Sequence, residues 1–266
     1  MVGDSAYRRV VIAFDSSRES RAALDLSAGL AASLGAELTG LFIEDVNQLR
    51  MGALPFTRLA GPGPLSRDVD LRTIERSMRR AADEARAALE RLAMARSQPV
   101  PWSFRVVRGG VTRELGAAVE PADLIVVEER ALGRAARAAL ATAGASVLCL
   151  CSTAPRANEV LVMFGDSEHE LRAIDAAVRV ARATDRTLTL LVANGEQDVK
   201  LAGVTDTEDV VSKKVRIADR SRAFVQAVTQ RPGAIVVWSA EDEDAETRRA
   251  LLPLLERGRL SLLVTR

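Results

Sequence analysis

The sequence predicts an α/β protein built from two tandem units, each a parallel sheet doubly wound with helices, the second unit being reduced. Three observations predict this fold class: an internal repeat, apolar runs of strand length, and helical periodicity between those runs. Residues 9–17 resemble residues 159–167, and the match continues without a gap to residues 38–39 and 188–189. A gapless match of about thirty residues is not expected from composition alone, so each half repeats one folding unit.

The first unit opens with a βαβ pattern. Val10 to Phe14 is apolar throughout and rich in β-branched residues, as strands buried on both faces are. A helix follows, with Ser16 or Ser17 as its N-cap and Gly35 as its stop. Glu37 to Glu44 is predicted to be the second strand. Two strands joined by a short helical crossover must pair in parallel.

A long helix is predicted next, from about Arg67 to Ala95, with Ser66 as its N-cap. Its outer face interleaves arginines with acids, which favours a solvated surface over a phosphate-binding one. The loop before it, Asp45 to Leu65, carries apolar side chains that must pack on the unit itself, pack across an interface, or cover a ligand. The apolar stripe of the helix is predicted to contain Leu71, Ile74, Met78, Ala81, Ala85, Leu89 and Leu92.

A second repeated block shows how the units differ. Leu124 to Val127 lies over Ala234 to Val237, an offset of 110 residues instead of 150, so the second unit is about 40 residues shorter and lacks the long helix. We predict domains at 1–154 and 155–266, with a short joint that makes the units pack together. The remaining elements are predicted at Ser103–Val107, Thr112–Val119 and Ser146–Cys151 in the first unit, and at Lys214–Ala218, Arg220–Thr229 and Ser261–Thr265 in the second.

Composition excludes several classes of protein. A formal charge of +1 gives no overall field for nucleic acid, and no window approaches the roughly 20 apolar residues of a membrane span. The N-terminus has no signal-peptide pattern, so a soluble cytoplasmic protein is expected. Cys149 and Cys151 are two apart on a strand, which indicates two small thiols in a reducing compartment rather than a disulfide.

The sequence offers no set of catalytic or metal-binding residues. The single histidine, His169, is flanked by Glu168 and Glu170, and is predicted to face solvent without partners for catalysis or zinc binding. The acidic run from Glu241 to Glu246 lacks the spacing of a calcium loop and is predicted to charge a helix N-terminus. We therefore expect no enzyme activity and no metal.

Three blocks resemble the universal stress protein family: RVVIAFDSSRESRAAL at 9–24, LGAELTGLFI at 34–43 and ADLIVV at 122–127. The resemblance covers nearly the whole chain, once per unit. It implies two adenine nucleotide alpha hydrolase-like domains, each with a five-stranded parallel sheet, packed as a pseudo-dimer. It also implies a role in stress physiology or in the regulation of other proteins.

Some members of that family bind ATP through an Asp after the first strand, the end of the second strand, and a loop reading Gly, two residues, Gly, nine residues, Gly, Ser or Thr. Glycines let backbone N–H groups approach phosphates closely, and the next helix N-terminus adds a favourable dipole. The resemblance makes the following residues candidates for nucleotide binding: Asp15, Ser16, Phe42, Ile43, Gly109, Gly110 and Thr142.

The phosphate loop is degenerate. Counting from Glu128 places Glu128, Ala131 and Ala141 where glycines are expected, and only Thr142 fits; alternatively, the loop is deleted. A carboxylate such as Glu128 would repel a phosphate about 4 Å away by roughly 1 kcal/mol or more. In the second unit Gly165 replaces Asp15. Two candidates have simpler explanations, because Asp15 suits a helix cap and Gly109-Gly110 suits a tight turn.

The sequence thus favours a non-enzymatic, universal stress protein-like regulatory or scaffold protein, without a functional ATP phosphate loop and acting through protein contacts. The alternative is an adenine-nucleotide or small-metabolite sensor that binds ATP or another adenine nucleotide in the first domain. No cofactor is expected for the first function. The protein partner is unknown from sequence, and a homodimer through edge strands is a second possibility for assembly.

Overall fold

The computed structural model describes residues 7–14, 21–52, 58–59, 67–68, 71–97, 99–121, 123–128, 145–151, 157–165, 167–193, 210–219, 221–241, 245–257 and 259–265. The strands are β1 (Arg9–Phe14), β2 (Glu37–Asp45), β3 (Arg58–Leu59), β4 (Arg67–Asp68), β5 (Trp102–Gly109), β6 (Asp123–Glu128), β7 (Ser146–Leu150), β8 (Glu159–Met163), β9 (Thr187–Ala193), β10 (Ser212–Ile217), β11 (Ile235–Ser239) and β12 (Ser261–Thr265). The helices are α1 (Arg21–Leu34), α2 (Val46–Gly52), α3 (Leu71–Met94), α4 (Val111–Ala118), α5 (Glu168–Thr184), α6 (Arg222–Thr229) and α7 (Ala245–Glu256).

Ten strands form one continuous sheet in the order β10-β9-β8-β11-β12-β7-β6-β1-β2-β5. Neighbouring strands are parallel except at the centre, where β12 pairs with β7 antiparallel. The sheet is therefore two parallel groups of five, which we call the first unit (β1, β2, β5, β6 and β7) and the second unit (β8 to β12). This arrangement confirms the predicted fold class, and it points the carboxyl ends of the two groups toward opposite edges of the sheet.

Helices cover both faces of the sheet, as buried parallel strands require. Val10 and Ile12 face a core shared with α1, α3 and α5, whereas Val11 and Ala13 face a core shared with α4, α6 and α7. Helices α1 and α5 also pack against each other across the joint, where Ala28 is fully buried. The two units are thus joined by a strand pair in the sheet and by a helix pair above it.

The stop signals of the first helix in each unit have the same geometry but different residues. Gly35 follows α1 with φ +62°, and Asp185 follows α5 with φ 52°. Glycine adopts this left-handed conformation without a steric penalty, and Asp is one of the few other residues that tolerate it. The predicted stop at Gly35 is confirmed.

The long helix begins later than predicted, at Leu71 instead of Arg67, because residues 67–68 pair with residues 58–59 as a short antiparallel hairpin. Leu71 is 39% exposed and does not belong to the buried stripe. Ile74, Ala81 and Leu92 are half-buried. The fully packed side of α3 consists of Met78, Ala82, Ala85, Leu89 and Ala93.

The segment predicted as an irregular loop, Asp45 to Leu65, starts with a helix, α2, which packs against α3 and buries Leu49. Part of the apolar segment therefore packs on its own unit. The predicted N-cap Ser66 and the domain boundary after residue 154 lie outside the described residues. In the part of the chain that the structure describes, no helix has the length and apolarity of a membrane span.

Candidate functional site

Ligand sites in open α/β sheets lie beyond the carboxyl ends of the strands, where the strand order reverses. In the first unit this point lies between β1 and β6, because the chain crosses from β1 to β2 on one side and later returns to β6 on the other. Phe14 ends β1 and Glu128 ends β6. The ends of β2 and β5 complete the same edge, which we call the first carboxyl edge.

Two candidate residues near the end of β2 are core residues. Phe42 is fully buried on the side of α1 and α3, and Ile43 is 1% exposed on the side of α4. Strand β2 continues two residues further, to Asp45, which pairs in register with Gly109 of β5. Phe42 and Ile43 are therefore buried beneath the first carboxyl edge. The side chains at the edge itself belong to later residues of β2.

The two glycines lie where β5 passes into α4. Gly109 ends the strand, and Gly110 is the N-cap of the helix without a side-chain cap. A Cβ atom on Gly109 would lie 2.2 Å from Oε1 of Glu114, whereas Gly110 faces open space. The room that Gly109 leaves is therefore occupied by a carboxylate of the protein itself.

Glu128 is buried at the end of β6, with 6% of its surface exposed, and it pairs in register with Leu150 of β7. Sequence alone placed this residue at the mouth of a phosphate site. The structure places it within the packed edge of the sheet. A buried carboxylate at this point opposes the binding of a second anion.

One cation at this edge, Arg108, is already engaged. Its Nε lies 2.7 Å from Oε2 of Glu44, and its Nη1 lies 4.0 Å from Oε1 of Glu75 on α3. The hydrogen bond to Glu44, followed by the attraction of that charge, raises the pKa of Arg108 above its ordinary value. Arg108 thus stays charged and neutralises the protein's own acids.

The structure brings Phe42, Ile43, Gly109 and Gly110 to one edge, because β2 and β5 pair in parallel register. Asp15, Ser16 and Thr142 lie outside the described residues, so their role stays a prediction. Sequence reasoning missed Glu114 and the Glu44–Arg108 pair. The acids of Glu44-Asp45 were a visible signal at a strand end, but their partner depends on the register of two strands that are distant in sequence.

The second carboxyl edge, at the ends of β8 and β11, is filled by a helix cap. A Cβ atom on Gly165 would lie 2.0 Å from Cδ of Glu170. Glu170 forms a capping box with Ser167, whose N–H donates to Glu170 Oε2 at 3.1 Å. A carboxylate thus occupies the place of the missing aspartate side chain, and it is committed to the helix.

His169 is half-buried, so it faces solvent only in part. Its Nε2 lies 3.2 Å from Oγ of Ser167, because the ring turns back onto the N-cap of α5. This contact is part of the helix start and adds no catalytic partner. Among the described residues, no group of three or more potential metal ligands comes together.

Ser239 ends β11 at the position that Glu128 holds at the end of β6, because Val10 pairs with Leu124 and Val160 pairs with Ile235, one residue further along than the sequence match of the two blocks. The residue before it, Trp238, is the counterpart of Val127. Its ring is 6% exposed and lies 5.6 Å from that of Phe224. Its Nε1 has no hydrogen-bond partner among the described residues. The second edge therefore has a buried serine where the first has the carboxylate of Glu128.

No protein-family model matches the sequence, and no curated protein matches it. Solved structures do match. A universal stress protein from Archaeoglobus fulgidus DSM 4304 aligns with a TM-score of 0.58 over 96% of both chains, at 13% identity. The chain has the universal stress protein fold.

Two Pseudomonas aeruginosa structures support the same conclusion. A putative universal stress protein aligns with a TM-score of 0.54 over 98% of this chain and 94% of its own, at 11% identity. A functionally unknown protein from strain PAO1 aligns with a TM-score of 0.54 over 98% of this chain and 93% of its own, also at 11% identity. The likeness spans both units, so the universal stress protein fold accounts for the whole chain.

Proposed function

We propose that this chain is a non-enzymatic, universal stress protein-like regulatory or scaffold protein of the stress response, which acts through protein contacts and does not bind ATP through a phosphate loop. The fold supports the class of protein. The observation that carries the proposal is the charge at the first carboxyl edge. Glu128 is buried at the end of β6, and the carboxylate of Glu114 fills the space at Gly109.

A phosphate within about 4 Å of one such carboxylate is repelled by roughly 1 to 4 kcal/mol, according to the effective dielectric constant. The backbone approach that a glycine would offer at Gly109 is taken by Glu114. The neighbouring cation, Arg108, is paired with Glu44. The geometry thus supports a packed, acidic edge that serves the fold and disfavours triphosphates.

The cysteines fit a reducing compartment, and we propose the cytoplasm. Cys149 is buried, Cys151 is half-buried, and neither forms a disulfide. The outer strands β5 and β10 carry exposed cations, among them Arg105 and Lys214, and charged edges resist pairing with further strands. A homodimer through these edges is therefore less favoured than contacts through helices.

Calorimetric titration of the full chain with ATP, ADP and adenosine tests the proposal. We expect no saturable heat with ATP. Tight ATP binding that Asp15→Ala abolishes would overturn the proposal, provided that Asp25→Ala binds like the parent chain. Asp25 is a suitable control because its side chain is exposed on α1.

One observation favours a second function, a sensor of an uncharged adenine compound or another small metabolite in the first unit. No described atom beyond its chain neighbours lies within 4 Å of the place that a Cβ atom on Gly110 would take, so the backbone there leaves room for a neutral ligand. Saturable binding of adenosine without binding of ATP would support this alternative, because removal of the phosphates removes the repulsion by Glu114 and Glu128.

A further inference from the structure

The outer face of α3 is divided into two parts by charge. In sequence the arginines and acids of this helix look interleaved, but the first twelve residues, 71–82, hold one acid, Glu75. Glu75 turns away from the outer face, and its Oε1 lies 4.0 Å from Nη1 of Arg108 on β5. The arginines left on the surface of this half are Arg72, Arg76, Arg79 and Arg80, all of them exposed.

These four side chains form what we call the arginine face. Eight residues separate the first from the last, so the face is about 12 Å long. None of the four has an ion-pair partner among the described residues; Arg76 Nε donates to the carbonyl oxygen of Arg72 at 3.2 Å. Like charges at such spacing repel one another.

The helix dipole makes this distribution more costly. No acid lies in the first turn of α3, and Arg72 lies there instead. Positive charge at a helix N-terminus is disfavoured by a few tenths of a kcal/mol or more. Arginines that oppose the helix dipole and repel one another, without an ion-pair partner among the described residues, are typical of a functional surface.

Two exposed apolar side chains lie on α3, which carries the arginine face, and on β5, which packs against it. Leu71 is 39% exposed at the start of α3. Val106 is 50% exposed on β5, two residues from Arg108, the residue that reaches α3. Arginine combined with apolar anchors is typical of protein interfaces, and Lys and Glu are depleted there. The described residues of α3 include no aromatic side chain, so this face offers bases nothing to stack on.

We propose that the arginine face docks an acidic face of a partner protein. This proposal rests on the proposed function and names the surface and the charge of the partner. Arginine suits this use because its planar guanidinium binds carboxylates in a bidentate manner. The second unit has no counterpart among its described residues, so partner binding is assigned to the first unit alone.

Fluorescence anisotropy with a labelled oligoglutamate peptide tests the proposal on the full chain. At low ionic strength we expect saturable binding, weakened at least about tenfold in the variant Arg72→Gln/Arg76→Gln/Arg79→Gln/Arg80→Gln. The matched control is Arg86→Gln/Arg91→Gln, which removes two exposed arginines from the mixed half of the same helix. It should change binding less than about twofold. Circular dichroism should show the same Tm for all three chains, because the six arginines are exposed.

Two further probes separate an acidic protein from other polyanions. A DNA duplex and vesicles with anionic phospholipid should bind more weakly than the peptide at the same ionic strength. Absent peptide binding, an equal loss in the control variant, or tighter binding of DNA or vesicles would each overturn the proposal. Calorimetry with ATP decides the proposed function separately, so the two can fail independently.

Discussion

The two units differ most where α3 covers the first and no described helix covers the second. In the first unit α3 packs over β2 and β5. The described residues between β9 and β10 contain no such helix. Strand register shows that Trp102, Phe104 and Val106 of β5 correspond to Ser212, Lys214 and Arg216 of β10. Where no described helix covers the outer strand, the corresponding face of that strand carries polar and charged residues instead of aromatic and apolar ones.

The neighbouring strand shows a related difference in its packing. A Cβ atom on Gly40 would lie 2.6 Å from Phe104 and 2.9 Å from Leu89 of α3, so this glycine makes room for both side chains. Its counterpart in β9 is Leu190, which is 1% exposed. In the second unit, the side chain of Leu190 fills the volume that Phe104 and Leu89 of α3 fill in the first unit.

The ion pairs at the amino ends of the strands have opposite polarity in the two units. Arg9 starts β1 and holds Asp123 through Nε at 2.9 Å and Nη2 at 2.6 Å. Glu159 starts β8 and lies between Lys213 and Arg231, with Arg231 Nε at 3.1 Å. Asp123 is 1% exposed, whereas the three partners in the second unit keep contact with solvent. The first pair is therefore the more costly to break.

Arg9→Met should cause the largest loss of stability. It leaves Asp123 buried without its charge partner, and breaking a buried pair in this way costs about 3–5 kcal/mol. The matched change in the second unit, Glu159→Gln, removes a pair with solvent access and should cost about 1 kcal/mol or less. Urea unfolding of both variants measures the difference. Equal losses would show that burial does not distinguish the two pairs.

Leu190→Ala should destabilise the protein by about 2–5 kcal/mol, because it leaves a cavity in a fully packed strand. Gly40→Ala tests the equivalent space in the first unit by adding a side-chain atom instead of removing one. It forces Phe104 and Leu89 to shift and should cost about 1–3 kcal/mol by overpacking. Adding Phe104→Leu to Gly40→Ala should recover part of that loss in thermal unfolding. A neutral Gly40→Ala would mean that the glycine does not serve the packing of α3.

The repeat and the strands could be predicted from sequence because both depend on local pattern. Val10 to Phe14 is apolar at every position, which is typical of a strand buried on both faces. The start of α3 could not be predicted in this way. It depends on the pairing of Arg58 with Asp68, a contact between segments whose local pattern gives no strand signal.

The candidate site was predicted only in part, for the same reason. Gly109 and Gly110 were recognised because a tight strand-to-helix turn has a local signature. Two contacts decide the chemistry of the edge: Glu114 lies against Gly109, and Arg108 pairs with Glu44. Both contacts follow from three-dimensional packing. Asp15 stays a prediction, since it lies outside the described residues.

A pair of equivalent threonines should sharpen the comparison between the units. Thr39 Oγ1 lies 3.2 Å from Ser103 Oγ and 3.3 Å from Glu37 Oε1, whereas Thr189 Oγ1 is buried with no partner among the described residues. The counterpart of Ser103 is Lys213, which pairs with Glu159 instead.

Thr189→Val should therefore stabilise the protein by about 1 kcal/mol, because a buried hydroxyl without a partner is costly. Thr39→Val should destabilise it by about the same amount. Urea midpoints at constant m-value measure both changes, and a destabilising Thr189→Val would indicate that the hydroxyl has a partner after all.

The smallest effect concerns Tyr7, the only tyrosine, which interacts with residues of both units. Its hydroxyl donates to Ser146 Oγ at 3.2 Å in the first unit, and burial, together with the charge of Asp175 in the second, raises its pKa above 10.0. The folded state then holds the phenolic proton more tightly than the unfolded state, so unfolding releases a proton above about pH 10. Stability should consequently fall as the pH rises from about 10 toward the folded pKa, and below pH 10 the group should make no pH-dependent contribution.

Tyr7→Phe should lose this part of the alkaline decline, since its ring packs similarly but cannot ionise. Urea unfolding at several alkaline pH values compares the two chains, and parallel declines would show that the joint between the units does not perturb Tyr7.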